Sequence, residues 1–142
     1  MARLYREAPL NSVWEGTSNM MCMDVRRAMI KDRRTRDAFI AEISKAKGSD
    51  RRFDAFLDHT ARLMDAACED EYLARPATEA MARALQGAEL IRHSTQDTSD
   101  AFISSRLSAL TGSWGCMFGT LGIGSDIALA HRIVRRARVV PV

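Results

Sequence analysis

The chain has 142 residues, close to half of them apolar and 27% charged, which excludes a disordered segment and allows one domain with a real core. A net charge of +3 demands no polyanionic partner. Cys22, Cys68 and Cys116 are odd in number and far apart, so they form no disulfide framework or CxxC pair, and reduced thiols in a cytoplasmic setting are expected.

In chain order, residues 3 to 15 predict a short helical piece broken at Pro9, with a loop through Asn11 and Ser12. Nothing at this end has the apolar core of a signal peptide, and no run reaches a membrane span. Thr17 or Ser18 is placed to cap a helix running to about Asp32, with Met21, Val25, Ala28 and Met29 on its apolar face. Asp37 is placed to cap a short helix carrying Phe39, Ile40 and Ile43 and ended by Gly48.

With Asp50 as cap, Phe53, Phe56, Leu57, Thr60, Leu63, Met64 and Ala67 trace the cleanest helical stripe in the chain. Pro76 suits the first turn of the next helix, on which Ala77, Met81, Ala84, Ala88 and Ile91 recur in steps of four and three. A further helix is predicted from about Ser99 through Phe102, Ile103, Leu107 and Leu110. The glycine-rich run "TGSWGCMFGTLGIGSD" reads as a linker, and a last helix starts at Ser125 or Asp126. No window alternates with a period of two. The fold class expected is all-α, a helical bundle.

Chemistry is sparse. Glu15, in "NSVWEGTSN", is the one carboxylate in a setting that suits a general base: Trp14 could supply an apolar wall that raises its pKa, and Gly16 leaves room for a ligand. The plain alternative is an acidic residue near a helix start, favoured by the helix dipole. His59, His93 and His131 have no Cys, His or carboxylate at ligand spacing, so no metal site is expected. "GTLGIGS" lacks the order of the dinucleotide fingerprint and follows no strand.

Charge is uneven, with net +4 in residues 1–36, −5 in 37–100 and +4 in 101–142. Arg26, Arg33, Arg34 and Arg36 in "RRAMIKDRRTR", with Arg132, Arg135, Arg136 and Arg138 in "HRIVRRARVV", could track nucleic-acid phosphates. The competing reading is a solvated face, or arginines paired with the acidic middle. Neither cluster has interleaved aromatics, so stacking on single strands is poorly supported.

The run "MARLYREAPLNSVWEGTSNMMCMDVRRAM" resembles the catalytic-loop segment of flavin-dependent acyl-CoA dehydrogenases, most closely their AidB, or adaptive-response, branch. "ATEAMARALQGAELIRH", "DAFISSRL" and "SWGCMFGTL" resemble the helical extension of that branch. The resemblance implies that Glu15 is the base that takes the α-proton of an acyl-CoA thioester while hydride leaves the β-carbon for FAD. It implies that Trp14, Gly16, Thr17 and Asn19 line the flavin pocket, Asn19 standing where many relatives carry glutamine. Arg27 would lie at the active-site entrance, suited to an anionic ligand. Ser18 departs from the glycine usual at its position.

The same resemblance implies two parts: residues 1–34, the catalytic-loop segment and final helix of the dehydrogenase C-terminal bundle, and residues 35–142, an AidB-type helical extension. The N-terminal helical and β domains of such enzymes have no counterpart here. The chain alone is therefore expected to bind no FAD and to turn over no acyl-CoA. The expected partners are those missing domains, with a second copy and DNA as further possibilities, the last because the branch resembles a DNA-associated protein of alkylation defence. No membrane is expected.

Overall fold

A computed structural model describes residues 2–10, 17–107 and 127–138. Among these the elements are seven α-helices and three 3-10 turns, with no strand, so the fold class is the all-α helical bundle that the periodicity predicts. The helices are α1 (Ala2–Glu7), α2 (Ser18–Lys31), α3 (Arg33–Ile43), α4 (Arg51–Glu69), α5 (Ala74–His93), α6 (Gln96–Arg106) and α7 (Ile127–Ala137). The 3-10 turns are Ala8–Leu10 at the expected Pro9 break, Ser44–Ala46 and Glu71–Leu73. The linker, Leu110 and the Ser125 and Asp126 start lie outside the described residues.

The residues form two compact units, Met1–Ala41 with Thr60–Met81, and Glu42–His59 with Ala82–Val142. In the first, Cys22 and Met29 of α2, Thr60, Met64 and Ala67 of α4, and Ala74, Ala77 and Ala80 of α5 are buried. Arg36 on α3 reaches Asp65 on α4 at 2.7 Å. In the second, Phe53, Phe56 and Leu57 of α4 are buried along with Ile43, Ala84, Ala88, Ile103 and Leu107. Arg83 stands over the Phe56 ring, 5.2 Å from its centroid, and donates to the carbonyl of Arg106 at 3.0 Å. A Cβ on Gly87 would lie 2.9 Å from Leu107 Cδ1 and 3.2 Å from Phe53, so the missing side chain is what lets α5 approach these two.

Asp50 caps α4 as expected: its Oδ1 accepts from the backbone N–H of Arg52 at 2.7 Å. Arg52 also binds the Asp50 carboxylate and that of Asp100, which holds the Asp50 carboxyl below its usual range. Pro76 falls in the first turn of α5.

Three local expectations need correction. Asp37 lies inside α3; the residue that starts α3 is Asp32, whose Oδ1 accepts from the N–H of Arg34 at 3.0 Å. Asp32 thus closes α2 and opens α3 within a single residue, and a one-residue joint has no loop composition to betray it. Helix α6 starts at Gln96, three residues before Ser99; Ser99 instead bonds the Thr95 and Gln96 carbonyls from within the helix. Thr17 is the N-cap of α2, but its side chain makes no capping bond.

The buried face of α2 also differs. Cys22 and Met29 are buried, whereas Met21 is 43% exposed and Ala28 is exposed. The cause is Arg26, four residues after Cys22, which turns inward to the last carbonyls of α4. A charged residue on the packed face hides that face from a hydrophobicity count.

Candidate functional site

The start of α2 and the turn before α5 enclose an open cleft of about 370 Å³ lined by Asn19, Met23, Glu71, Tyr72, Ala74 and Arg75. Asn19 is on the first turn of α2, and Thr17 precedes it in extended backbone, φ −64° and ψ 151°. Arg75 donates to Ser18 Oγ at 3.2 Å, fixing the turn against the helix start. Tyr72 is 87% exposed, so its ring is open to solvent beside the guanidinium. The cleft therefore offers an amide, a guanidinium, a phenol and a carboxylate over a small apolar floor. Tyr72, Glu71 and Arg75 read in the sequence only as the acidic "CEDEYLAR" turn, and nothing in their spacing marks them as neighbours of Asn19.

Arg27 is exposed and paired with Asp24 one turn earlier on its own helix. Its charge is thus locally compensated.

The arginines of the basic clusters divide into two sets. Arg26 is bound to backbone carbonyls, Arg34 to the Asp32 carboxylate at 2.8 Å and Arg36 to Asp65. The Arg34 contact lowers the Asp32 pKa. Arg132 grips Asp97 at 2.7 Å, lowering the pKa of that carboxyl, and Arg136 donates to Thr98 Oγ1 at 2.7 Å and Ser94 Oγ at 3.0 Å. Arg36 and Arg132 thus pair with the acidic middle of the chain. Arg33, Arg135 and Arg138 are exposed; the last two, with His131 and Val134, line a shallow cleft of about 280 Å³ along α7.

His93 ends α5 with Nε2 3.5 Å from Glu89 Oε2, one turn back. Among the described residues no three His, Cys, Asp or Glu side chains gather as metal ligands. Nor is any described helix long and apolar enough to cross a membrane.

Comparison with curated proteins finds a match of 31% identity over 102 residues to a protein of Escherichia coli (strain K12) described as "Putative acyl-CoA dehydrogenase AidB". Over that segment the chain is similar to AidB. The match covers 72% of this chain but 18% of the length of AidB, so the chain spans under a fifth of that relative. No family model matches the chain, and no solved structure does.

The residues expected to form an AidB-like site are divided by what the structure describes. Glu15, Trp14 and Gly16 lie outside the described residues. Thr17 and Asn19 are described, both exposed at the head of α2, and Asn19 reaches the cleft that Arg75 and Tyr72 complete.

Proposed function

We propose that this chain supplies the proton-abstracting wall of an acyl-CoA dehydrogenase-type flavoprotein, with Glu15 as the base. The observation that carries the reading is the 31% identity to AidB over 102 residues, together with the Trp14-Glu15-Gly16-Thr17 run. On this reading Glu15 takes the α-proton of an acyl thioester. Trp14 keeps water from the carboxylate and raises its affinity for the proton, and Gly16 admits the thioester edge. Thr17 and Asn19 orient the flavin, and Arg27 meets an anionic group at the entrance. FAD supplies the hydride acceptor when it is bound.

Thr17 and Asn19, at the head of α2, carry hydroxyl and amide groups of the kind that bond the polar edge of a flavin ring. The Asn19–Arg75 cleft, about 370 Å³, is ring-sized and leaves the rest of a dinucleotide to be held elsewhere. The remaining wall belongs to the N-terminal and β domains of such enzymes, supplied outside these residues. Residues 1–34 are then the dehydrogenase part and 35–142 the AidB-type extension. By itself the chain purifies without flavin and leaves acyl-CoA unchanged.

The test is a chimera in which this chain, Glu15 included, replaces the segment of AidB that aligns with it. Its readout is exchange of the α-protons of an acyl-CoA for deuterium, followed by NMR. Exchange falls by about 100-fold or more in Glu15→Gln, the usual contribution of a positioned base. A Glu15→Gln chimera that exchanges as fast as its parent, or a parent no faster than free thioester, removes the reading.

A second reading, a helical DNA-binding module, draws support from the exposed Arg33, Arg135 and Arg138. It requires duplex binding that weakens steeply with salt and is lost when the three are replaced by glutamine. Binding unchanged by the replacements excludes it.

A further inference from the structure

The end of α2, the start of α3 and the end of α4, all in the first unit, enclose a second cleft of about 360 Å³. Met29 and Ile30 come from the last turn of α2, and Arg33 and Arg36 from α3, three residues apart and so on one face. Asp65, Cys68 and Glu69 come from α4 at i, i+3 and i+4, again one face. Contacts within the chain already tie these walls together. Arg26 of α2 donates to the Ala67 and Cys68 carbonyls of α4, and Arg36 of α3 binds Asp65 at 2.7 Å. The cleft is therefore pre-formed, at the small end of the about 300–1,000 Å³ usual for ligand pockets, which suits a small metabolite.

Its charges are only partly matched. Asp37 and Asp65 take the two Nη atoms of Arg36, but the Nε of the same guanidinium is buried with no hydrogen-bond partner. An orphaned buried donor asks for an acceptor. Arg33 and Glu69 are exposed, and neither has an ion-pair partner among the described residues. The open groups are thus one cation, one anion and one N–H, beside Met29 and the half-exposed Ile30. A simple anion on Arg33 would leave Glu69 facing it, and phosphate would meet two carboxylates. A simple cation on Glu69 would meet two guanidiniums.

We infer that this cleft binds a small zwitterion with an apolar tail, an α-amino acid of the leucine kind. Its carboxylate lies on Arg33 and accepts from Arg36 Nε, its ammonium is met by Glu69, and its side chain covers Met29 and Ile30. Both charges belong to one small molecule, because a peptide terminus carries only one of them. Such a ligand bridges three helices and so binds the folded chain alone, which raises the melting temperature. The cleft shares no residue with the Asn19–Arg75 cleft, and the inference is independent of the proposed function.

The experiment titrates the full chain with L-leucine by calorimetry. Saturable 1:1 binding is expected. Loss of one charged partner should weaken it by about 10-fold or more, whether on the protein, in Arg33→Gln or Glu69→Gln, or on the ligand, in 4-methylpentanoate or isoamylamine. Both substitutions fall at exposed positions, so the variants keep the fold. A second measurement places the ligand. Cys68 is a free, half-buried thiol in the lining, and its alkylation by iodoacetamide, followed by peptide mass spectrometry, should slow several-fold at saturating leucine. The inference is overturned by a titration with no saturable binding, or by 4-methylpentanoate or inorganic phosphate binding as tightly as leucine. Affinity unchanged in both variants, or Cys68 alkylation indifferent to leucine, overturns it equally.

Discussion

Arg26 donates from Nε to the carbonyl oxygen of Ala67 at 2.7 Å, and its Nη2 reaches the next carbonyl, that of Cys68, at 3.0 Å. These are carbonyls of the last turn of α4, which have no partner within the helix and carry the negative end of its dipole. One side chain of α2 therefore caps α4. Replacing it with methionine should keep the packing volume of the stem and lose both bonds, at about 2–3 kcal/mol for charge-assisted bonds in a half-buried place. Urea denaturation should show the loss as a lower midpoint with an unchanged slope. Arg26→Lys should recover only part of it, since an ammonium cannot span two successive carbonyls as the fork does.

Gly87 offers the opposite kind of test. On an exposed helix face, Gly→Ala gains about 1 kcal/mol from propensity. Here the new methyl would sit 2.9 Å from Leu107 Cδ1 and 3.2 Å from two atoms of the Phe53 ring, all in a fully buried cluster. Overpacking of this kind costs about 1–3 kcal/mol, so Gly87→Ala should lower the melting temperature. Adding Leu107→Val removes the nearest atom, and the double variant should lose less than the sum of the two single losses.

The sequence carries the long amphipathic helices best, because Phe53, Phe56, Thr60, Met64 and Ala67 bury one unbroken stripe and Asp50 caps it by its own side chain. What it conceals has a common physical cause. Arg26 belongs to the packed face of α2 through its guanidinium, and Asp32 joins two helices with no loop between them. In both cases a polar side chain does a structural task that composition assigns to solvent. The candidate site shows the same divide. Glu15 is legible as chemistry only through a long resemblance, while Arg75 and Tyr72 join Asn19 through tertiary folding, 56 and 53 residues further along the chain.

Acid should loosen the protein in a defined window. The Asp50 carboxyl is held low by the Arg52 guanidinium, with backbone N–H bonds from Arg52 and Phe53 adding to it; Arg34 lowers Asp32 and Arg132 lowers Asp97. A carboxyl whose folded pKa lies below its unfolded value, about 4, contributes stability that is fully present above that value. It is lost as pH falls through the depressed folded value. Melting temperature should accordingly hold from neutrality to about pH 4 and fall below it. In Asp50→Asn the protein should be less stable at pH 7, and its decline below pH 4 should be shallower. An equally steep decline would assign the acid sensitivity to other carboxyls.

The attachment of α7 can be tested without global unfolding. Arg132 holds Asp97 through two bonds, 2.7 and 3.1 Å, and Arg136 donates to the hydroxyls of Thr98 and Ser94 at the start of α6. No residue of α7 is buried, so polar contacts carry much of what orients it. Exposed ion pairs contribute about 0–1 kcal/mol each. Asp97→Asn should thus barely move the global transition. Its effect should appear in local opening, with amide hydrogen exchange in Ile127–Ala137 accelerating while that of α4 and α5 stays as it was. Exchange in α7 that is unaltered by Asp97→Asn would assign its anchoring to the half-buried Leu129, Ala130 and Ile133 instead.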